Sequence, residues 1–182
     1  KKDNIIKVIP KLKKGLNKEN WMDFSKSILT TDTCNKISSK IIKIGGETVT
    51  ITGVAKGSGM IHPNMATMLS FVATDIKISK TQLNSIHKKL VDRSYNMITV
   101  DGDTSTNDSS ILMSTRKSKL SYEKLNSEDK KSFYSNIESI YIELAKYIIR
   151  DGEGATKFVS INIDKIKDKK QGKSIGMSVA NS

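Results

Sequence analysis

The stretch Lys56-Gly57-Ser58-Gly59-Met60-Ile61-His62-Pro63-Asn64-Met65-Ala66-Thr67-Met68-Leu69 decides how this chain is read. A loop bearing glycines and a proline runs into a small residue, Ala66, and directly into a hydroxyl residue, Thr67. An apolar run follows. This layout suits a chain that cuts itself and uses the new N-terminal Thr as a nucleophile. A Thr hydroxyl is a weak nucleophile unless a base lies nearby. An N-terminal Thr carries its own base, an α-amino group with an ordinary pKa of about 7.7–8.0. Releasing that amine requires breaking the bond before Thr67. The Thr67 hydroxyl attacks the Ala66 carbonyl, an ester replaces the amide, and water hydrolyses the ester. Gly57, Gly59 and Pro63 suit the strained loop this needs, because Gly reaches φ values other residues avoid and Pro fixes its own. Ala66 leaves room for a tetrahedral intermediate. By spacing alone, an Ala-Thr pair at a strand start is ordinary, so the rest of the chain must carry the weight.

Working outward, residues 67–74 read as a mostly buried strand. Upstream, 40–55 reads as a β-hairpin: Ile42 and Ile44 alternate with Lys, Gly45-Gly46 marks the turn, and Val49 and Ile51 alternate with Thr. Residues 56–66 form the loop between them. Residues 3–29 read as helical, interrupted by Pro10, with Asn17 a candidate N-cap. Downstream, 79–93 is an amphipathic helix capped by Ser79, with Leu83, Ile86 and Leu90 as its stripe. Strands are expected near 97–101, 110–114 and 156–163. The clearest helix is 127–150, with Ser127 as N-cap, Phe133, Ile137, Ile140, Tyr141, Leu144 and Ile148 as its apolar face, and Asp151-Gly152-Glu153-Gly154 as its stop. A last helix begins near 172. The pattern is α+β with antiparallel sheet.

The chain has 182 residues, enough for a sizeable core in one domain or part of a larger one. It begins Lys1-Lys2-Asp3 and ends Ala180-Asn181-Ser182, so both ends read as cuts through a longer protein. A lone Cys34 provides no disulfide and points to a reducing compartment. No apolar run approaches the roughly 18 residues of a membrane span. The formal charge of +12 is spread as Lys along the chain. Only Arg93, Arg116 and Arg150 are Arg, and aromatics are 5%, so base-reading forks and stacking platforms are scarce. The charge reads as solvated surface.

The 56–69 stretch resembles, nearly residue for residue, the self-cleavage motif of the bifunctional glutamate N-acetyltransferase/ornithine acetyltransferase family of arginine biosynthesis. The resemblance extends to Ile28-Leu29-Thr30-Thr31-Asp32-Thr33, to Ile98-Thr99-Val100-Asp101-Gly102-Asp103-Thr104-Ser105-Thr106-Asn107-Asp108, and to Glu153-Gly154-Ala155-Thr156-Lys157. It covers the whole chain and matches the middle portion of the family. It implies a layered α/β sandwich with mainly antiparallel sheet, similar to self-processing aminopeptidases and other N-terminal-nucleophile folds. Residues 1–66 would close an α chain and 67–182 would open a β chain, assembling as α2β2 or larger. Thr67 would be the nucleophile and Ala66–Thr67 the bond cut. Thr67 would take the acetyl group of N-acetylornithine and pass it to glutamate in ping-pong fashion. No resident cofactor or metal is implied, although some family members also use acetyl-CoA as donor. A cytoplasmic enzyme is expected, with an organellar address left open.

The resemblance also assigns substrate contacts. Lys56 matches a substrate-contacting Lys, apt because both substrates carry carboxylates. Thr30 matches a substrate-binding Thr, with Thr31 its substitute if the register slips. Glu153 matches a substrate-binding acid able to pair with the amine of ornithine. Read without the resemblance, these are an exposed Lys, the punctuation of a helix end and a loop acid. The Asp101–Asp108 run fails as a calcium loop, which wants Gly at its sixth position and Glu at its twelfth; here those are Thr106 and Leu112. It reads as a polar, hydrogen-bonded loop near the site. His62 and His87 complete no Ser-His-Asp set, and His87 reads as surface. Cys34 reads as a buried or incidental thiol. The family's oxyanion-hole Thr-Gly pair has no match upstream of Thr30, and its C-terminal Asn and Thr contacts have none either, so the chain by itself is expected to be inactive. Two rival readings remain: a self-processed amidase or peptidase using water as acceptor, and a basic nucleic-acid-binding domain whose binding would weaken steeply with salt.

Overall fold

A computed structural model describes residues 2–61, 68–103 and 107–182. Its centre is a four-stranded sheet in the order β1 (Lys36–Ile44), β2 (Glu47–Lys56), β3 (Leu69–Thr74), β4 (Ser109–Ser114). β1 and β2 form the expected hairpin. Gly45 and Gly46 both have positive φ at its turn, a backbone that favours glycine and matches the twist of paired strands. β2 pairs antiparallel with β3, and β3 runs parallel to β4. The sheet is therefore mainly antiparallel, as the α+β reading required.

Helices cover both faces. α1 (Lys2–Lys14) and α2 (Trp21–Ser27) precede the sheet, α3 (Lys80–Asp92) follows β3, α4 (Ser127–Arg150) follows β4, and α5 (Lys169–Ala180) is last. α4 lies across β1 and β2 and buries Phe133, Ile137, Ile140, Tyr141, Leu144 and Ile148, the stripe its periodicity predicts. Packing there is tight. A Cβ on Gly53 of β2 would lie 2.9 Å from Leu144 and 3.0 Å from Val72, so glycine is what lets the helix settle onto the strand. On the opposite face, Phe24 of α2 meets Phe71 of β3 edge-on at 5.2 Å. Val49, Ile51, Val72, Leu90 and Leu112 join the α4 stripe in one core.

Several expectations are corrected. The helix expected over 3–29 is two helices. α1 runs through Pro10 and ends at Gly15, whose N–H closes onto Lys11 and Leu12. Asn17 caps neither helix; its side chain accepts from Glu19 N–H at 3.1 Å, and Asn20 stands before α2. The cap of α4 is Asn126, which accepts from Asp129 N–H at 2.8 Å, one residue earlier than Ser127. Residues 97–101 form no strand: Tyr95–Met97 is a single 3-10 turn, and after it Val100 N–H reaches only the Ile61 carbonyl. Residues 156–163 are irregular and mostly exposed, because the alternation finds no strand to pair with among the described residues. α5 starts at Lys169, with the Asp168 side chain accepting from Lys170 N–H. Among the described residues, no helix is long and apolar enough to cross a membrane.

Candidate active site

The site residues gather where β2 ends. Lys56 is the last residue of β2 and is buried, although most lysines of this chain are solvated. Its Nζ donates to Thr30 Oγ1 at 3.1 Å. Thr31 turns elsewhere and shares a 2.7 Å hydrogen bond with Ser58 Oγ. Thr30, rather than its neighbour, thus meets Lys56. Glu153 lies beside the same loop: its N–H donates to the Ser58 carbonyl at 2.6 Å, and its carboxylate lies 3.2 Å from where a Cβ on Gly59 would stand. Gly59 leaves the space that carboxylate occupies. The structure therefore joins Lys56 to Thr30 and sets Glu153 against the Ser58–Gly59 backbone just beyond them, residues far apart in sequence. Ala66 and Thr67 lie outside the described residues.

A buried ionic knot underlies this arrangement. Lys36, at the start of β1, has a fully buried side chain. Its Nζ pairs with Asp32 Oδ1 at 2.6 Å and with Asp151 Oδ2. Asp32 also accepts Gly57 N–H at 2.6 Å and Thr30 N–H at 3.4 Å. Asp151, just past the end of α4, accepts the N–H and hydroxyl of Thr33. Burial pushes both carboxyls up, but the hydrogen bonds from Lys36 and from Gly57 or Thr33 outweigh it and hold them below the usual Asp value. Buried charges persist only when paired and hydrogen-bonded, and here each is. The knot ties the 30–33 loop and the first glycine of the 57–61 loop to the sheet and to α4. It sets the frame in which Thr30 and Lys56 meet. Nothing in the sequence marks Lys36: a Lys opening a strand reads as solvated.

Asp108 is a second carboxylate near Lys56, with a different environment. It accepts Met68 N–H through Oδ1, and its buried Oδ2 has no hydrogen-bond partner among the described residues. Burial raises its pKa to about 6, against the opposing pull of Met68 N–H and Lys56. Asp101 accepts from Met60 N–H, from Ile61 N–H at 3.0 Å and from Asp103 N–H at 3.2 Å. These bonds agree with a polar, hydrogen-bonded loop for the Asp101–Asp108 run, of which Thr104, Ser105 and Thr106 lie outside the described residues. Among the described residues, no group of three or more His, Cys, Asp or Glu side chains could hold a metal ion.

His87 is half-buried rather than surface: its Nε2 is 2.9 Å from Ser110 Oγ, its ring lies edge-on to Tyr141, and burial lowers its pKa. His62 lies outside the described residues. Cys34 is exposed, and partial desolvation with the nearby Asp151 charge raises its pKa, which disfavours the thiolate.

The stretch that resembles a self-cleavage motif starts at the end of β2 with buried Lys56 bonded to Thr30 and has Glu153 against its Ser58–Gly59 backbone, the arrangement of a candidate N-terminal-nucleophile enzyme. The ArgJ family model matches residues 1–182, and the chain belongs to the ArgJ family. It is 43% identical over 180 residues to the arginine biosynthesis bifunctional protein ArgJ of Methylococcus capsulatus, covering 99% of this chain and 44% of that protein. To the protein of the same name from Colwellia psychrerythraea it is 42% identical over 181 residues, covering 99% and 43%. The crystal structure of that protein from Bacillus halodurans aligns with a TM-score of 0.44 at 42% identity, over 50% of this chain and 43% of that one. The chain thus spans less than half the length of the curated relatives it matches.

Proposed function

We propose that this chain is the middle portion of an ornithine acetyltransferase (glutamate N-acetyltransferase) of arginine biosynthesis, cut autocatalytically between Ala66 and Thr67. Residues 1–66 then close the α chain and 67–182 open the β chain of an α2β2 enzyme. The observation that carries the reading is the buried Lys56 ammonium donating to Thr30 Oγ1 at 3.1 Å, on the strand end that leads into the motif and beside Glu153. A desolvated cation with an adjacent hydroxyl binds a carboxylate strongly. Glu153, whose backbone is fixed to Ser58, supplies the opposite charge for an amine. A cation and an anion flanking one loop suit an amino acid with a second amine, as ornithine has.

In this scheme the Thr67 hydroxyl first attacks the Ala66 carbonyl. The C–N bond breaks, the amide nitrogen takes the proton and becomes the Thr67 α-amine, and water hydrolyses the ester to free Ala66 as a carboxylate. The neutral α-amine then accepts the Thr67 hydroxyl proton as Oγ attacks the acetyl carbonyl of N-acetylornithine. Ornithine leaves with that proton on its nitrogen, and acetyl-Thr67 remains. The glutamate amine attacks this ester and departs as N-acetylglutamate, restoring the hydroxyl. The groups that hold the developing oxyanion lie outside this chain, so 1–182 alone is inactive. No metal, resident cofactor, nucleic acid or membrane enters the scheme. Acetyl-CoA is an additional donor to be assayed, and the enzyme works in the cytoplasm.

The test uses the full-length protein with N-acetylornithine alone. The β chain should gain the mass of one acetyl group, lose it on adding glutamate, and yield N-acetylglutamate. Thr67→Ala should show none of this. Loss of the acetyl group to water, with no N-acetylglutamate formed, would assign an amidase instead.

A further inference from the structure

The Asp101–Asp108 run has no role in the scheme above, yet it holds the motif from both sides. The six residues His62–Thr67 are flanked by Ile61 and Met68. Ile61 donates its N–H to Asp101 Oδ1 at 3.0 Å, and its carbonyl accepts from Val100 N–H at 2.8 Å and Thr99 Oγ1 at 3.0 Å. Asp101 also takes Met60 N–H. On the other side, Met68 donates its N–H to Asp108, and its carbonyl accepts from Ser109 N–H at 3.0 Å. Both flanking peptides are therefore satisfied by the same 99–109 stretch, each through one carboxylate and one backbone amide. Ile61 and Met68 are buried, which strengthens these bonds and slows their exchange with water.

We infer that Asp101 and Asp108 are positioning residues for self-cleavage, a two-point clamp that fixes the chain on either side of the Ala66–Thr67 bond. The inference rests on the cleavage reading and adds to it the residues that prepare the peptide. An intramolecular attack gains its rate from a preset geometry, which a segment free at either end would lose. Asp108 carries the heavier part. Its Oδ1 accepts Met68 N–H, while its Oδ2 lacks a partner among the described residues, and burial raises its pKa to about 6 against the pull of Met68 N–H and Lys56.

The clamp has an asymmetric consequence. Once the bond is cut, Met60 and Ile61 belong to the α chain and no longer connect to the nucleophile. Met68 is still bonded covalently to Thr67. Asp101 thus acts before cleavage, whereas Asp108 acts before it and during every later turnover.

The experiment follows cleavage of freshly translated full-length precursor over time by mass, for wild type, Asp101→Ala, Asp108→Ala and Asp108→Asn. Each Ala variant should cut on the order of tenfold more slowly, the effect of losing a charge-assisted hydrogen bond. Asp108→Asn keeps an acceptor for Met68 and should recover much of the rate. In the cleaved fraction, Asp108→Ala should lower kcat with little change in KM, and by more than Asp101→Ala does. To separate this from misfolding, amide exchange is measured on uncut Thr67→Ala precursor. Asp101→Ala should accelerate exchange at Met60 and Ile61, and Asp108→Ala at Met68. Wild-type cleavage rates in both Ala variants would overturn the clamp alone. Slow cleavage with unchanged exchange at these three amides would overturn it too. An uncut wild-type chain would remove the cleavage reading and the clamp together.

Discussion

Two carboxylates meet the end of β2 and are treated in opposite ways. Asp32 accepts Gly57 N–H and pairs with fully buried Lys36, so its pKa is held below the usual value. Asp108 lies near Lys56, accepts one amide, and has its pKa raised to about 6. Both are withdrawn from water, and among the described residues they differ in how completely they are partnered. The saturated carboxylate belongs to a knot that joins loop, strand and helix. The other, with Oδ2 unpartnered among the described residues, stands next to the residue that follows Thr67. The first is placed to hold structure together, and the second is the one assigned above to positioning the motif.

The comparison breaks most readily at Lys36. Lys36→Met leaves the Asp32 and Asp151 carboxylates buried without their cation and should destabilise the protein by about 3–5 kcal/mol in urea unfolding. A smaller loss would mean that water reaches the knot. Next, Asn substitution at the two carboxylates should have opposite signs at pH 7. Asp32→Asn loses charge-assisted bonds and should destabilise by about 1.5–3 kcal/mol, whereas Asp108→Asn should be neutral or stabilising by roughly 1 kcal/mol. Equal losses would erase the distinction.

The pH dependence sharpens it. The folded pKa of Asp32 lies below its ordinary 3.8, so its contribution is complete above that value and is lost as pH falls through the folded value. The folded pKa of Asp108 is raised, so protonation favours the fold. The advantage of Asp108→Asn over wild type should therefore shrink as pH falls from about 6 toward 4, with the Asp32→Asn deficit shrinking only below that range. Thermal melts from about pH 7 to about pH 3 measure both. The smallest effect belongs to an ion pair of a third kind. Arg93 and Glu138 pair at 2.7 Å, but Arg93 is 65% exposed. Arg93→Ala should change stability by only about 0.5 kcal/mol, since an exposed pair exchanges water for little gain.

Much of the fold was legible because hydrophobic period survives in a single sequence. The β1–β2 hairpin, α3 and α4 each repeat their signal over many residues. The strands expected at 97–101 and 156–163 rested on short apolar runs. A strand exists only where another offers a ladder, and partners are a property of the tertiary fold. At the site, Lys56, Thr30 and Glu153 are assigned by resemblance, and the structure adds the Lys56–Thr30 and Glu153–Ser58 hydrogen bonds. The Asp101–Asp108 run reads as a hydrogen-bonded loop near the site, without a role for either carboxylate, and Lys36 is not singled out. Their partners lie far along the chain, as with Asp101 and Ile61, 40 residues apart, and a Lys opening a strand carries no mark of burial in its own neighbourhood.

The most direct test of the account is the intact mass of the purified full-length protein, wild type beside Thr67→Ala. The account predicts two wild-type chains that meet at Ala66 and Thr67, and a single uncut chain in the variant. A correctly folded wild type of one uncut chain would leave Thr67 without its amine and contradict it.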